Sequence, residues 1–402
     1  MQKLKRDKLW TSDFILVILT NFTMALSMYL LIVTMANYAT DTFGSSTSMA
    51  GLASSIFILG AVFSRLWAGK AIERIGSKKM LMYGIVFSII SISLYFVANN
   101  IYFFLLVRVL HGIGMGISTT GAGTIVAQII PRTRSGEGIS YYSMGMVLTT
   151  AIGPLIGIFL MENVSYLSLF IFSIIAGIVS LFVAIPLKAP KMEVPEAEEV
   201  PVEARKRFRL SNYLEANALP IAFVTLIVSV AYSGILSFIT SFSEEVDLVK
   251  AGSFYFLVYA ITIIISRPFT GKLMDRRGAN MVTYPALILF AIGMFLLSQS
   301  TTAFLLLLAA GINGLGYGNF QSIAQALAIK LTPNHRLGLA NSTYFIFLDI
   351  GLGLGPFVFG FVVPYVGFKG LYLILTGVVV IGLVAYHFLY GSKERQLLHR
   401  PQ

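Results

Sequence analysis

Residues Ser64 to Gly76 read SRLWAGKAIERIG and residues Ser266 to Gly278 read SRPFTGKLMDRRG; the two stretches lie 202 residues apart and agree at six of thirteen positions. Each carries a charged turn between long apolar segments, in a chain that is only 12% charged. The same spacing keeps working beyond them. HGIGMG from His111 faces NGLGYG from Asn313, PRTRSG from Pro131 faces PNHRLG from Pro333, and Gly153-Pro154 faces Gly355-Pro356. Four agreements at one constant offset identify a tandem duplication.

With 402 residues and 56% hydrophobic side chains, the chain holds more apolar surface than a soluble core of its size hides. A bilayer core takes about 20 apolar residues of helix. Twelve such segments are expected: 14–39, 48–69, 79–98, 101–128, 137–161, 164–187, 217–241, 250–270, 281–299, 303–329, 338–364 and 368–390. The first, from Phe14, is longer than a signal-peptide core and lacks a small-residue cleavage site, so it is expected to be a retained span. No cysteine is present, which excludes disulfides and thiolate metal sites.

The net charge of +11 does not point to nucleic acid, because the cations are scattered between apolar segments. One set of connections holds 24 of the 29 Lys and Arg, the opposite set holds Lys250 and Lys369, and Arg65, Arg108 and Arg267 fall inside spans. The positive-inside rule then places both termini in the cytoplasm of a multi-pass cell-membrane protein, which requires an even number of spans. Residues 188–216 are rich in charge and proline and read as a flexible cytoplasmic linker. The expected organisation is a six-helix bundle over 1–187, that linker, a second six-helix bundle over 217–392 and a cytoplasmic tail over 393–402. Six is even, so the copies share one orientation, and a parallel repeat of this kind places a substrate site between the halves.

The residues now carry a resemblance. GKAIERIGSKK from Gly69 resembles the loop motif between spans 2 and 3 of the major facilitator superfamily, with Glu73 where Asp is usual, while Asp275 in the second copy keeps the usual residue. RVLHG from Arg108 is similar to the span-4 motif, with His111 where Gln is common; GMVLTTAIGPLIG, Gly145 to Gly157, resembles the span-5 motif of drug and proton antiporters. The resemblance covers the full chain. It implies an all-α membrane protein of twelve transmembrane helices, in two six-helix bundles related by a parallel pseudo-twofold repeat.

In the charged turns, glycines at Gly69, Gly76, Gly271 and Gly278 let helix ends approach, and the acid-arginine pairs Glu73-Arg74 and Asp275-Arg276 are expected to form a latch that makes and breaks ion pairs. Arg65 and Arg267, one turn earlier, are expected to snorkel to the membrane surface. Gly153, Pro154, Gly157, Gly355 and Pro356 are expected to bend spans 5 and 11. Glycine clusters such as GIGMG at Gly112 are not phosphate loops: no strand precedes them and no P-loop pattern occurs.

Asp349 stands alone among 18 acidic residues in lying deep within an apolar span. An unpaired carboxylate there is a functional candidate, able to take a proton from one side and release it to the other or to hold a cationic substrate. Arg108, with His111 one turn on, and Glu137 at the start of span 5 join it as proton-coupling or substrate candidates. The resemblance implies a cavity between spans 1, 4, 7 and 10, with Asn21, Phe22, Tyr29, Tyr232, Phe238, Asn313, Asn319, Gln321 and Gln325 as lining candidates. Aromatic and neutral polar groups together suit amphipathic or cationic organic molecules.

The expected function is proton-coupled efflux of small amphipathic or cationic organic compounds by alternating access. Its alternatives are a proton symporter for a sugar, amino acid or similar metabolite, and a lipid translocase. An enzyme is not expected, since the four histidines form no metal cluster and no nucleophile-base pattern occurs. Nor is a metal or another cofactor: the proton gradient is the energy source, and the partners are the small-molecule substrate, protons and membrane lipids, with no nucleic acid. A monomer is expected.

Overall fold

The computed structural model describes residues 8–190 and 212–394. Of the expected linker, residues 191–211 lie outside the described residues, as do 395–402 of the expected tail. All regular elements among the described residues are helical: α1 Ser12–Phe43, α2 Thr47–Ile75, α3 Ser77–Ser93, α4 Ile101–Ile129, α5 Ser135–Asn163, α6 Tyr166–Ala184, α7 Leu219–Glu245, α8 Tyr255–Arg277, α9 Asn280–Ser298 and α10 Ala303–Lys330. The last helical run, Leu337–Leu389, contains one non-helical residue, Gly367, with φ 67° and ψ 177°. It is two helices, α11 over 337–366 and α12 over 368–389, and the positive φ at their joint is one that glycine adopts without a steric cost. Twelve long helices result among the described residues, beside the short helix Val249–Ser253.

Local chemistry sets several helix starts. Thr11, Asn100 and Thr302 each accept a hydrogen bond on their side-chain oxygen from the backbone N–H three residues on, which satisfies one of the donors that every helix start leaves over. The stops of α2 and α8 are the same turn made twice: Gly76 has φ 89° and Gly278 φ 91°. These two glycines of the repeated motif are therefore backbone requirements of the turn.

In the first half, α2 and α3 pack on α4, and α1 packs on α5 and α6; in the second, α7 packs on α11 and α12, and α9 packs on α10 and α12. Large apolar side chains such as Phe63, Phe182, Phe269 and Phe304 point outward, the surface a lipid phase demands. Several hydroxyls on the spans are satisfied within their own helix: those of Thr20, Thr34, Ser118 and Thr124 donate to the carbonyl four residues back.

One end of the molecule collects the turns at Gly76, Pro131, Gly278 and Pro333, the entry to α7 and the end of α12. It is the basic end counted above. The residues leading into α7 are docked, unlike the loose tether expected: Lys70 lies over the Tyr213 ring, Glu215 pairs with Arg336, and the Glu215 N–H donates to Thr343. Past α12, the Glu394 carboxylate caps α9 by accepting from the N–H groups of Ala279 and Asn280. Glu394→Ala is expected to cost about 1 kcal/mol. Thermal unfolding in detergent measures it, and an unchanged midpoint refutes the cap's contribution.

Candidate functional site

Across the interface, α2 meets α11 and α8 meets α5. Both crossings use glycine pairs that are equivalent at the offset of 202. A Cβ on Gly69 would lie 2.6 Å from the Ser342 Cβ and 3.3 Å from the Gly338 carbonyl oxygen; one on Gly271 would lie 2.6 Å from the Gly136 carbonyl oxygen. Only residues without a side chain let these backbones approach so closely. On the axis between the crossings, Arg132 donates from Nη2 to Asn334 Oδ1 at 2.8 Å and to the Thr332 carbonyl at 2.9 Å.

The latch residues gather at this end, but not in the pairs expected. Asp275 accepts from the N–H groups of Gly136 and Glu137, at 2.8 and 2.9 Å. An acid from one half thus caps the first helix turn of the other, where the helix dipole favours negative charge. Glu137 pairs with Arg134 at 2.8 Å and with Lys272 at 3.7 Å. Arg74 and Arg276 are exposed, and Glu73 has no ion pair within 4 Å among the described residues. Adjacent residues on a helix point in different directions, which is why Asp275-Arg276 and Glu73-Arg74 do not pair.

Nearer the middle of the molecule lies a part-buried ion pair between the halves. Arg65 Nε on α2 is 2.8 Å from Asp349 Oδ2 on α11. Its Nη1 donates to Thr119 Oγ1 at 2.9 Å, its guanidinium lies 4.6 Å from the Phe345 ring centroid, and its carbonyl accepts from Ser342 Oγ. Two expectations are corrected here. Asp349 is not unpaired, and Arg65 does not snorkel, being 6% exposed. Arg267 does not snorkel either: it is fully buried and donates to the Gly318 carbonyl on α10. Both arginines precede their helix ends by ten residues, about 15 Å of rise, beyond the reach of the side chain.

Beside the ion pair, a small central pocket is lined from both halves, by Asn21, Thr119, Tyr142, Ser143 and Met146 and by Gln321, Gln325, Tyr344 and Phe345. Gln325 donates to Asn341, and Asn341 in turn to the Thr120 carbonyl of the other half. Of the lining candidates, Asn21, Gln321 and Gln325 are the ones on this pocket. Phe22 and Tyr29 lie against Gly145 and Gly153 of α5. Tyr232 stacks on Tyr317 with centroids 3.9 Å apart, and Phe238 packs on Phe368.

Other candidates sit inside single bundles. Asn313 donates to the Tyr255 hydroxyl, and Asn319 bonds Ser266 and Thr270 of α8. Between them the π-helical turn Gly314–Gly318 shifts the phase of α10, which a regular helix reading misses. Arg108 donates from Nε to the Ala53 carbonyl at 2.7 Å and covers the Phe57 ring; His111 lies between Phe57 and Tyr95, with Nδ1 3.5 Å from the Tyr95 hydroxyl. Neither lines the central pocket. Gly153, Gly157 and Gly355 make close helix contacts, to Tyr29, Leu30 and Ser233, and the helices run on through Pro154 and Pro356.

Sequence reasoning passed over Arg65, Thr119, Asn341, Ser342 and the axial pair Arg132 and Asn334. The signal for Arg65 was present: an arginine recurs at the same place in both copies, deep in a span.

The chain was compared with known proteins. The sequence profile described as Major Facilitator Superfamily matches residues 17–309 and 251–401. An uncharacterized MFS-type transporter of Methanocaldococcus jannaschii is 26% identical over 372 residues, covering 92% of this chain and 96% of the relative. The multidrug resistance protein MdtG of Klebsiella pneumoniae is 28% identical over 342 residues, covering 83% and 82%. Among solved structures, the human organic anion transporter MFSD10 superposes with a TM-score of 0.77 at 12% identity, over 93% of this chain and 98% of that one. The transporter FucP in its outward conformation gives 0.72 at 15% identity, over 94% and 100%. Profile, relatives and twelve-helix fold agree, and the chain belongs to the major facilitator superfamily of membrane transporters.

Proposed function

We propose that this transporter exports small amphipathic organic compounds in exchange for protons, by alternating access of the central pocket to the two sides of the cell membrane. The observation that carries the reading is the Arg65–Asp349 pair: a titratable carboxylate buried between the halves, held by a cation that also bonds Thr119 of the pocket wall. An acid inside a membrane is costly even when paired, which marks it as a functional group. A proton on Asp349 cancels its charge and removes the Coulomb attraction to Arg65, loosening α2 from α11. Deprotonation restores the pair and draws the halves together again.

The basic end supplies the other half of the cycle. With the cations facing the cytoplasm, the Asp275 cap, the Glu137–Lys272 pair and the axial Arg132–Asn334 bond close the pathway on that side. These contacts are partly wet, so each contributes on the order of 1 kcal/mol and the set opens without a large barrier. Energy comes from the proton gradient, since moving one charge through 100 mV is worth about 2.3 kcal/mol. Export is favoured over uptake by the span-5 motif and by relatives named for multidrug resistance.

The test is substrate-driven proton flux in liposomes of the purified protein, with compounds chosen from a growth-inhibition panel in overproducing cells. Outward drug gradients should drive protons the opposite way at a fixed ratio. Proton and compound moving in the same direction would replace export with symport, and movement of labelled lipid without proton flux would replace the carrier with a translocase.

A further inference from the structure

The pseudo-twofold gives each buried group a counterpart, and at one place the chemistry of the counterparts differs. Arg65 and Arg267 are equivalent at the offset of 202, and the position equivalent to Asp349 is Val147 on α5. The first arginine has an acid across the interface, whereas the residue at the equivalent position of the other copy, Val147, is a buried valine. Arg267 is fully buried, and its Nη2 donates to the Gly318 carbonyl at 2.9 Å. Its Nε and Nη1 have no protein partner, and no acidic side chain lies within ion-pair distance of it among the described residues. Four tyrosines, Tyr259, Tyr344, Tyr317 and Tyr232, lie within electrostatic reach of it.

These tyrosines are arranged as a wall. Tyr232 stacks on Tyr317 and, at 5.7 Å, on Tyr259, while Tyr344 lines the central pocket. Tyr344, part of the pocket wall, is thus within electrostatic reach of the guanidinium. A cation buried without an acid is expensive and marks a binding role inside a membrane. A guanidinium fork matches a carboxylate or sulfonate, and tyrosine offers a hydroxyl donor beside an apolar ring face.

We propose that Arg267, with Tyr232, Tyr259 and Tyr344, is a subsite for the acidic headgroup of an amphipathic aromatic substrate, entered from the central pocket. The proposal rests on the carrier reading and narrows its substrate class to compounds bearing a carboxylate or sulfonate, because a cationic headgroup would add like charge to a site that already holds an unpaired one. The apolar body of the substrate lies against the stacked rings.

Equilibrium binding to the detergent-solubilised full-length protein tests this without any gradient, using three probes of one shape: naphthoate, neutral naphthamide and cationic naphthylmethylammonium. Naphthoate is expected to bind about tenfold or more tighter than naphthamide. Arg267→Gln should bring the two to parity, and Arg267→Lys should keep part of the preference. Val147→Asp, which supplies a carboxylate at the position equivalent to Asp349, should abolish the preference while leaving Arg267 in place, and it decides the matter if Arg267→Gln does not fold. Equal binding of the probes, no binding of any, a preference that survives both Arg267→Gln and Val147→Asp, or tightest binding of the ammonium would each overturn the subsite. Anion preference without gradient-driven flux keeps the subsite and sinks the carrier reading; flux without anion preference does the reverse.

Discussion

Asp349→Asn should abolish proton-coupled transport while leaving substrate binding within a few-fold of the unmodified protein, and Arg65→Leu should do something different. Asparagine keeps the size of the side chain and can still accept a hydrogen bond from Arg65 Nε, now 2.8 Å from Asp349, but it cannot exchange a proton. Leucine at 65 leaves the carboxylate buried without its cation, a loss of about 3–5 kcal/mol when one partner of a buried pair is removed. The double variant Arg65→Leu, Asp349→Leu should regain most of that stability, because a buried ion pair replaced by packed apolar side chains is often neutral. The expected pattern is a defect in flux for all three variants, with stability lost in both single variants, each of which leaves one charge of the pair uncompensated, and largely recovered in the double variant. Thermal unfolding and liposome flux read the two quantities separately. Undiminished coupling in Asp349→Asn would remove this carboxylate from the mechanism, and a double variant no more stable than Arg65→Leu would show that the pair is not the source of the cost.

The second large effect is at the glycine crossings. A side chain at 271 would have to fit where a Cβ already lies 2.6 Å from the backbone oxygen of Gly136 and 2.7 Å from the Ser140 hydroxyl. Backbone cannot swing aside as a flexible side chain can, so Gly271→Val should force α8 away from α5, pull Asp275 off the first turn of α5 and populate the state open at the basic end. Transport should fall by more than about tenfold, since losing the closed state by 1.4 kcal/mol already changes a population tenfold. Spin labels on cysteines replacing the exposed Lys79 and Arg276 report the opening; the chain has no cysteine of its own. A lengthened distance is the expected result. An unchanged distance distribution would mean that the crossing tolerates bulk and does not gate the pathway. Gly69→Val should act in the same direction at the other crossing.

Much of this architecture is legible in the sequence because it rests on local rules. Twelve apolar segments and the repeat follow from hydropathy and one constant offset. The turn glycines Gly76 and Gly278 are legible for the same reason: a motif that recurs in both copies marks a backbone need. The pairing of charges is not local. Arg65 and Asp349 are 284 residues apart, and nothing short of the packed halves says that they meet. The partners of the latch residues are not legible either, because only residues three or four apart share a helix face and Asp275 finds its partners on the other half. His111 and Arg108 carry polar chemistry, yet it is spent on Tyr95, Phe57 and the Ala53 carbonyl within one bundle. Asn313 and Asn319 turn away because a π-helical turn lies between them.

The bond between Arg132 and Asn334 joins residues at equivalent positions of the two copies. In an assembly of two separate, identical subunits, that place would bring arginine against arginine or asparagine against asparagine. Two arginines there would repel, and two asparagines would give up the charge. Joining the copies in one polypeptide frees each side to mutate alone, so a donor can be kept opposite an acceptor. The seam of this transporter is thus a contact that no self-paired ancestor could have made.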